Sequence, residues 1–202
     1  MLIEINKDTP EYPKLKQAVE IMKKGGIIVY PTDTIYGLGA DALNPKAIEK
    51  IFKIKQKPIS EGLSFIIPDL HDISKYAIVP DTAFRIMKML TPGPYTFVLK
   101  ASKLIPKQIL PKRQTVGIRI PDSPVCIELT KMLGNPIIST SANISGQPYY
   151  TDPLEIEKEL DGNIDLILAA GVLKDDPSTV LDLTNEQPVV LRQGKGDVSK
   201  IL

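Results

Sequence analysis

The sequence is poor in the residues that build disulfides and metal clusters. Its 202 residues include one cysteine (Cys126), one histidine (His71) and no tryptophan. A single cysteine cannot form an intramolecular disulfide, and one cysteine with one histidine cannot supply the ligands of a structural zinc site. The composition therefore argues against an oxidising compartment, a zinc fold and covalent catalysis through cysteine or histidine.

The chain also lacks an excess of charge and a long apolar run. Twenty-five basic and 24 acidic side chains leave a formal net charge of +1, so no global field attracts nucleic acid or a membrane. The longest apolar runs, such as residues 26–30, fall far short of the roughly 20 residues that span a bilayer, and the N-terminus has no signal-peptide pattern. We therefore expect a cytoplasmic protein with no membrane contact.

What is present is typical of an ordinary globular protein. With 43% apolar and 24% charged residues and no repeat or long linker, a single domain over residues 1–202 is expected. Charge is locally uneven, because residues 85–121 hold eight basic side chains and no acid, and residues 46–57 hold five lysines and one glutamate. Such segments are either solvated faces or a local polyanion site, and composition leaves both open.

Apolar runs and helical periodicities alternate only in part. Strands are predicted at residues 2–5, 27–30, 63–67, 95–99, 116–120, 137–139, 166–168, 179–183 and 189–191. Helices are predicted at residues 15–22, from a cap at Asn44 to about Ile54, from a cap at Asp81 to Leu90, and at residues 125–133 and 153–160. The order indicates an α/β or α+β domain with a mixed sheet.

The segment YPTDTIYGL at residues 30–38 is the strongest local candidate for a functional site. A predicted strand is followed there by closely spaced hydroxyls, the carboxylate of Asp33 and a flexible glycine. Loops at strand ends often present polar groups to ligands, although the same residues also suit a turn that satisfies its own backbone. The pair Gly37 and Gly39 lacks the third glycine of a dinucleotide fingerprint, and no Walker-type phosphate loop is present.

Together with KQKP at 55–58, GIRIP at 117–121 and STSANISG at 139–146, this segment resembles the YrdC-like family, which includes the threonylcarbamoyl-AMP synthases. The resemblance covers nearly the whole chain and continues in family order through LTPGPYT at 90–96, PSTVLD at 177–182 and LRQG at 191–194. The family signature K-x-R followed by S-x-N is matched by Lys55, Ser141 and Asn143, whereas Lys57 stands at the arginine position.

Two further departures accompany Lys57. Ile66 stands where family members commonly have a histidine, and Tyr149 stands where a serine is expected. Residues 62–63 and 85–97 look more like the YciO branch of the family. Because lysine offers a point charge where arginine offers a planar fork, the exchange at Lys57 is not conservative at a phosphate site.

The resemblance implies a twisted mixed sheet bent around an open cavity, with helices outside. It also implies an L-threonylcarbamoyladenylate synthase, in which L-threonine, bicarbonate and ATP react in the presence of Mg²⁺ to give threonylcarbamoyl-AMP and pyrophosphate. This product serves the threonylcarbamoyl modification of tRNA at position 37, so tRNA and tRNA-modification proteins are the implied partners. Such chemistry needs cations and tight positioning but no covalent protein nucleophile.

The resemblance assigns roles residue by residue. Arg119 would bind the threonine carboxylate, Thr34 and Tyr36 would contact the amino acid or shape its pocket, and Ser139 and Ser178 would lie beside it. For the nucleotide, Lys55 and Lys57 would face phosphates, and the remaining contacts would come from Thr115, Ser141, Asn143 and Arg192. Lys55 and Arg119 are the catalytic candidates, and no protein side chain is assigned to the metal.

Alternatives stay open at the level of sequence. The acid-free run suits a module that binds double-stranded RNA or tRNA through phosphates, whereas an aromatic content of 5% disfavours single-strand readout. Lys57, Ile66 and Tyr149 suit a YciO-like enzyme acting on a different nucleotide or carbamoyl substrate. Arg119 could form an ordinary surface ion pair, and Ser141 and Asn143 an ordinary turn.

Overall fold

The computed structural model describes residues 1–56, 63–105, 110–199 and 201. Its strands are β1 (Leu2–Glu4), β2 (Ile28–Tyr30), β3 (Gly37–Asp41), β4 (Ser64–Ile66), β5 (Ala77–Ile78), β6 (Tyr95–Ala101), β7 (Thr115–Arg119), β8 (Ile137–Ser141), β9 (Leu166–Ala169), β10 (Thr179–Asp182) and β11 (Val189–Arg192). Its helices are α1 (Tyr12–Lys23), α2 (Pro45–Lys55), α3 (Asp81–Leu90), α4 (Pro124–Leu133) and α5 (Pro153–Glu159), with a 3₁₀ turn at Ile73–Lys75.

The strands join one twisted mixed sheet, which confirms the predicted fold class. Their order is β1-β9-β2-β3-β8-β4-β7-β6-β10-β11, and β5 pairs with β6. The pairs β1–β9, β2–β9, β4–β7 and β6–β10 are parallel, and the others are antiparallel. Six of the ten strand pairs join strands that are not consecutive in the chain, so the middle of the sheet gathers residues from distant parts of the sequence.

Apolar residues cover both faces of the sheet because neighbouring strand residues point to opposite sides. In β2, Ile28 and Tyr30 pack in the cluster formed with α1 and α4, whereas Val29 packs in the larger cluster formed with α2, α3 and α5. Helices therefore lie on both faces. None of the helices in the described part of the chain is long and apolar enough to cross a membrane.

A side-chain cap explains where α2 begins, whereas the cap predicted for α3 is not formed. The Asn44 side chain accepts a hydrogen bond from the Ala47 backbone N–H at 3.2 Å, and Pro45 is the first helical residue, as the sequence predicts. The predicted cap at Asp81 is wrong. Pro80 holds the cap position, and Asp81 is the first residue of α3 and makes no capping bond. The negative charge of its carboxylate in the first turn still interacts favourably with the positive end of the helix dipole.

β3 corrects the expectation of a flexible glycine loop after residue 36. The strand lies between β2 and β8, where the ring of Tyr30 crosses it. A Cβ on Gly37 would lie 3.0 Å from the Tyr30 ring, and one on Gly39 would lie 2.7 Å from both that ring and Ile137. The two glycines therefore allow close packing of β3 against the Tyr30 ring. The sequence also failed to predict the short strand β5 and the 3₁₀ turn.

Candidate active site

A cavity of about 370 Å³ opens against the middle strands of the sheet. Strand alternation builds it, because Thr115, Gly117 and Arg119 of β7 line the cavity while Val116 and Ile118 pack in the core. β4, β6 and β8 contribute in the same way with Ser64, Ile66, Thr96, Val98, Ser139 and Ser141. The volume lies in the range of roughly 300–1,000 Å³ found for small-molecule sites.

The predicted site residues converge on this cavity. Seven of them line it, namely Tyr36, Thr115, Arg119, Ser139, Ser141, Ser178 and Arg192. Thr34, Lys55 and Asn143 lie directly behind the lining and form hydrogen bonds to lining residues. Lys57 lies outside the described residues.

Arg119 ends β7 at one side of the cavity and is only 9% exposed. Its Nη2 donates a hydrogen bond to the Thr34 hydroxyl at 2.6 Å and another to the carboxylate of Asp33. Arg119 and Asp33 form an ion pair whose two side chains are 11% and 8% exposed. The pair is therefore buried, in contrast to the ordinary surface pair considered above.

Lys55 ends α2 and supports the opposite part of the lining. Its ammonium group is buried and donates hydrogen bonds to the Ser141 backbone oxygen at 2.8 Å, to Asn143 Oδ1 at 2.7 Å and to the Asn143 backbone oxygen. The Asn143 amide in turn donates to the backbone oxygen of Gln147 at 2.6 Å. These contacts fix the turn after β8 and place a positive charge directly behind Ser141.

The serine hydroxyls of the lining have defined neighbours. Tyr30 donates a hydrogen bond to Ser139 Oγ at 2.7 Å, which leaves the hydroxyl hydrogen of Ser139 for a ligand. Complete burial raises the pKa of Tyr30 and keeps it in the donating form. Ser178 Oγ lies 2.9 Å from the Thr96 hydroxyl.

Tyr36 presents its ring to the cavity, since its hydroxyl is used elsewhere. The hydroxyl donates to the Gly171 backbone oxygen at 2.6 Å and accepts from the Ala170 N–H at 2.9 Å. Burial raises the pKa of this phenol. Such an arrangement suits a residue that shapes a pocket.

Arg192 contributes the wall from β11. Its Nε and Nη2 donate to the Ser178 backbone oxygen at 3.1 and 2.8 Å, and its Nη1 lies 3.5 Å from the Tyr149 hydroxyl. Tyr149 and Ile66, two of the departures noted in the sequence, both line the cavity. These two unusual residues therefore lie where a ligand would be selected.

Three polar residues that line the cavity, Ser64, Thr96 and Thr140, were not among the predicted ones. Asp33 was named within the candidate segment at residues 30–38 but without a role, and in the structure it holds Arg119. The signal that could have found Ser64 is strand register, because it pairs with Ser139 on one side and Gly117 on the other. A Cβ on Gly117 would lie 2.7 Å from Ser64 Oγ, so this glycine makes room for the serine.

The groups excluded from catalysis lie away from the cavity lining. Cys126 is completely buried in α4, where burial raises the pKa of its thiol to about 12. His71 is absent from the lining. No group of three or more histidine, cysteine or acidic side chains that could hold a metal ion occurs within residues 1–56, 63–105, 110–199 and 201.

Comparison with known proteins gives a consistent result. Residues 20–194 match the profile of the Sua5/YciO/YrdC family, described as "Telomere recombination". The uncharacterized protein YciO of Escherichia coli strain K12 is 44% identical over 200 residues, which cover 98% of this chain and 97% of YciO. The crystal structure of E. coli YciO superimposes with a TM-score of 0.95 at 43% identity, covering 100% of this chain and 99% of YciO.

Two relatives have more informative names. A putative threonylcarbamoyl-AMP synthase of Methanocaldococcus jannaschii is 37% identical over 191 residues, or 92% of this chain and 90% of that protein. Sua5 of Pyrococcus abyssi, solved in complex with L-threonine, superimposes with a TM-score of 0.88 at 33% identity. That comparison covers 96% of this chain and 57% of Sua5.

Proposed function

Because this chain belongs to the Sua5/YciO/YrdC family, we propose that it is a threonylcarbamoyl-AMP synthase that uses L-threonine, bicarbonate and ATP. The observation that carries the proposal is the convergence of seven predicted site residues on one cavity. The Sua5 relative that was solved with L-threonine shares this fold. Threonine binding, ATP use and a role in tRNA modification are part of the proposal.

The end of the cavity at Arg119 suits an amino acid. Arg119 keeps donors at Nε and Nη1 that no hydrogen bond among the described residues uses, and Ser139 keeps its hydroxyl hydrogen. A carboxylate accepts such charge-assisted bonds well. The Tyr36 ring and Ile35 provide apolar surface beside these donors for the threonine side chain.

The remaining lining suits a nucleotide. Lys55 places its charge behind Ser141, and Arg192 reaches the wall from β11, so phosphates would meet positive potential. Leu63, Val98 and Val180 give the apolar surface that a base requires. Lys57 would add a third cation, as the resemblance implies.

Mg²⁺ would enter with the triphosphate. The part of the chain that the structure describes offers no cluster of three ligating side chains for a protein cage. Mg²⁺ at phosphate-transfer sites is commonly held by phosphate oxygens, waters and one or two protein oxygens, which the hydroxyl-rich lining can supply. The ion would neutralise phosphate charge there.

The chemistry requires positioning more than reactive side chains. The threonine amine attacks CO₂ derived from bicarbonate and loses a proton to form a carbamate. A carbamate oxygen then attacks the α-phosphorus of ATP. The bond between the α-phosphorus and the oxygen that bridges it to the β-phosphate breaks, and pyrophosphate leaves. Arg119 would hold the amino acid, and the cations near Ser141 and Arg192 would stabilise charge on the phosphates.

Pyrophosphate release from Mg·ATP tests this function. With bicarbonate present, we expect release that depends on L-threonine and matches formation of an adenylate product. Arg119→Lys keeps the charge but loses donors, so it should raise the KM for threonine by at least about 10-fold with little change for ATP. Arg85→Lys, on the exposed side of α3, is the control. Absence of threonine-dependent release would refute the proposal.

A second candidate function is the same activation chemistry on a different substrate. It is favoured by Tyr149, which occupies cavity surface and meets Arg192 at 3.5 Å. The same assay with other amino acids and nucleotides distinguishes the two functions. Pyrophosphate release that another substrate supports better than threonine would favour this candidate.

A further inference from the structure

Among the described residues, the hydrogen bonds of the Arg119 guanidinium are all donated by one of its three nitrogens, Nη2. Its Nη2 donates to Asp33 Oδ1 and Thr34 Oγ1, with a longer contact of 3.4 Å to Thr32 Oγ1. Its Nε is buried and has no hydrogen-bond partner among the described residues, and none of their hydrogen bonds involves Nη1. A buried donor without a partner is costly, so the free donors point to a ligand.

Asp33 is itself held firmly, although it does not line the cavity. Its Oδ2 accepts a hydrogen bond from the backbone N–H of Asp122, just after β7, at 3.1 Å. Its backbone oxygen accepts a hydrogen bond from the Lys195 ammonium, in the segment after β11, at 2.6 Å. Two separate parts of the chain therefore hold Asp33, one at its carboxylate and one at its backbone, and through Asp33 they hold the guanidinium.

We propose that Asp33 is a positioning residue for substrate binding. It holds Nη2 of Arg119 and thereby fixes the orientation in which the remaining donors of the guanidinium meet the carboxylate of the amino acid. The proposal deepens the proposed function and rests on it for the identity of the ligand, L-threonine. Asp33 acts only through Arg119 and touches no reacting atom.

The geometry of a guanidinium makes this role specific. Each of its two-point edges includes Nη2, paired either with Nε or with Nη1. Because Asp33 and Thr34 occupy Nη2, neither two-point edge of the guanidinium is open to a ligand carboxylate. The carboxylate then accepts one hydrogen bond from Arg119 and needs a neighbouring hydroxyl, such as that of Ser139, as the donor of its second hydrogen bond. Asp33 thus decides how the ligand carboxylate is oriented. Its own charge also neutralises the buried Arg119 guanidinium and orders it before the ligand binds.

The opposite role for Asp33 would be that of an internal competitor that the ligand displaces. A competitor has to swing away, whereas this carboxylate is anchored by Asp122 at its other oxygen and by Lys195 at its backbone. The two roles predict opposite results. Removing a competitor tightens threonine binding, and removing a positioning residue weakens it.

Calorimetric titration with L-threonine and separately with ATP tests the proposal. We expect Asp33→Asn to bind threonine roughly 10- to 100-fold more weakly and ATP with unchanged affinity. Asp122→Asn is the matched control, because it removes an exposed charge from the same region but keeps the backbone N–H that Asp33 uses. Unchanged or tighter threonine binding by Asp33→Asn would overturn the proposal.

A second readout separates this proposal from the proposed function. The Nε–H resonance of Arg119, assigned by its loss in Arg119→Lys, should shift and exchange faster with water in Asp33→Asn. If the unmodified protein binds no threonine, the proposed function fails and this resonance alone decides whether Asp33 fixes Arg119. An unmoved resonance overturns the role of Asp33. Should Asp33→Asn not fold, Asp33→Ser provides the same two readouts.

Discussion

Among single residues, Lys55 joins two elements that carry the site. The residue is 2% exposed, and its ammonium connects the end of α2 to the backbone and side-chain oxygens of Ser141 and Asn143. A buried lysine surrounded by oxygen acceptors combines a structural and an electrostatic role. Removing it leaves these acceptors without their donor and removes the charge behind the cavity wall.

We therefore expect Lys55→Met to lower the free energy of unfolding by about 2 to 3 kcal/mol, because hydrogen bonds to charged groups are worth about 1.5–3 kcal/mol. ATP affinity should fall more than threonine affinity, since Ser141 lines the side assigned to the nucleotide. Urea unfolding and calorimetric titration measure the two effects. Lys53→Met, exposed on the same helix, is the control. Normal ATP binding by folded Lys55→Met would contradict the assignment.

At the scale of elements, β3 depends on the absence of two side chains. The Tyr30 ring lies 3.0 Å from where a Cβ on Gly37 would be and 2.7 Å from where a Cβ on Gly39 would be, and the Tyr30 hydroxyl reaches Ser139 in the cavity. Packing of three neighbouring strands is thereby coupled to the orientation of one ligand-facing hydroxyl.

Graded substitutions test this coupling. Gly39→Ala places a Cβ 2.7 Å from both the Tyr30 ring and Ile137, so we expect a loss of about 1 to 3 kcal/mol in unfolding free energy. In Gly37→Ala the new Cβ would contact only the Tyr30 side chain, at 3.0 Å, so we expect a smaller loss of unfolding free energy. Urea unfolding of both variants measures which of them loses more unfolding free energy. An equal or reversed order would show that the ring moves aside freely.

The same elements explain how far the sequence predicts the structure. Apolar spacing predicted α1 and α4, and Asn44 marked the start of α2, because these signals are local. β3 could not be predicted, since its residues GLGAD disfavour a strand and only their packing against the Tyr30 ring of β2 explains them. Family motifs indicated most of the site. The place of Ser64 depends on register with strands far away in the chain, which no local pattern encodes.

At the scale of the whole molecule, the basic residues of the run at 85–121 lie in two different environments, the buried cavity wall and the exposed surface. Arg119 is buried and paired with Asp33, so it belongs to the cavity and not to the surface. Lys107 lies outside the described residues. The other six are exposed, and no ion pair among the described residues includes Arg85, Lys88, Lys100, Lys103, Lys112 or Arg113.

A double-stranded RNA would be attracted by these charges through its phosphates alone. We expect weak binding without sequence preference, with affinity falling steeply between 50 and 200 mM salt, as is typical of roughly six phosphate contacts. Fluorescence anisotropy of a labelled duplex at several salt concentrations measures this. Replacing Lys100, Lys103, Lys112 and Arg113 by glutamine should flatten the salt dependence, whereas Lys14→Gln and Lys23→Gln on α1 should not. Salt-independent binding would exclude this basic surface as the cause.

The order of the sheet also bears on how the protein is made. The cavity joins Tyr36, synthesised early, to Arg192 on β11, synthesised late, and β6 pairs with β10 only after some eighty further residues have been added. A chain still being translated can form α1 and the β2–β3 pair, but it lacks one wall of the cavity. Ligand binding therefore cannot assist the early stages of folding. The slow pairing of distant strands is expected to precede any stabilisation by substrate.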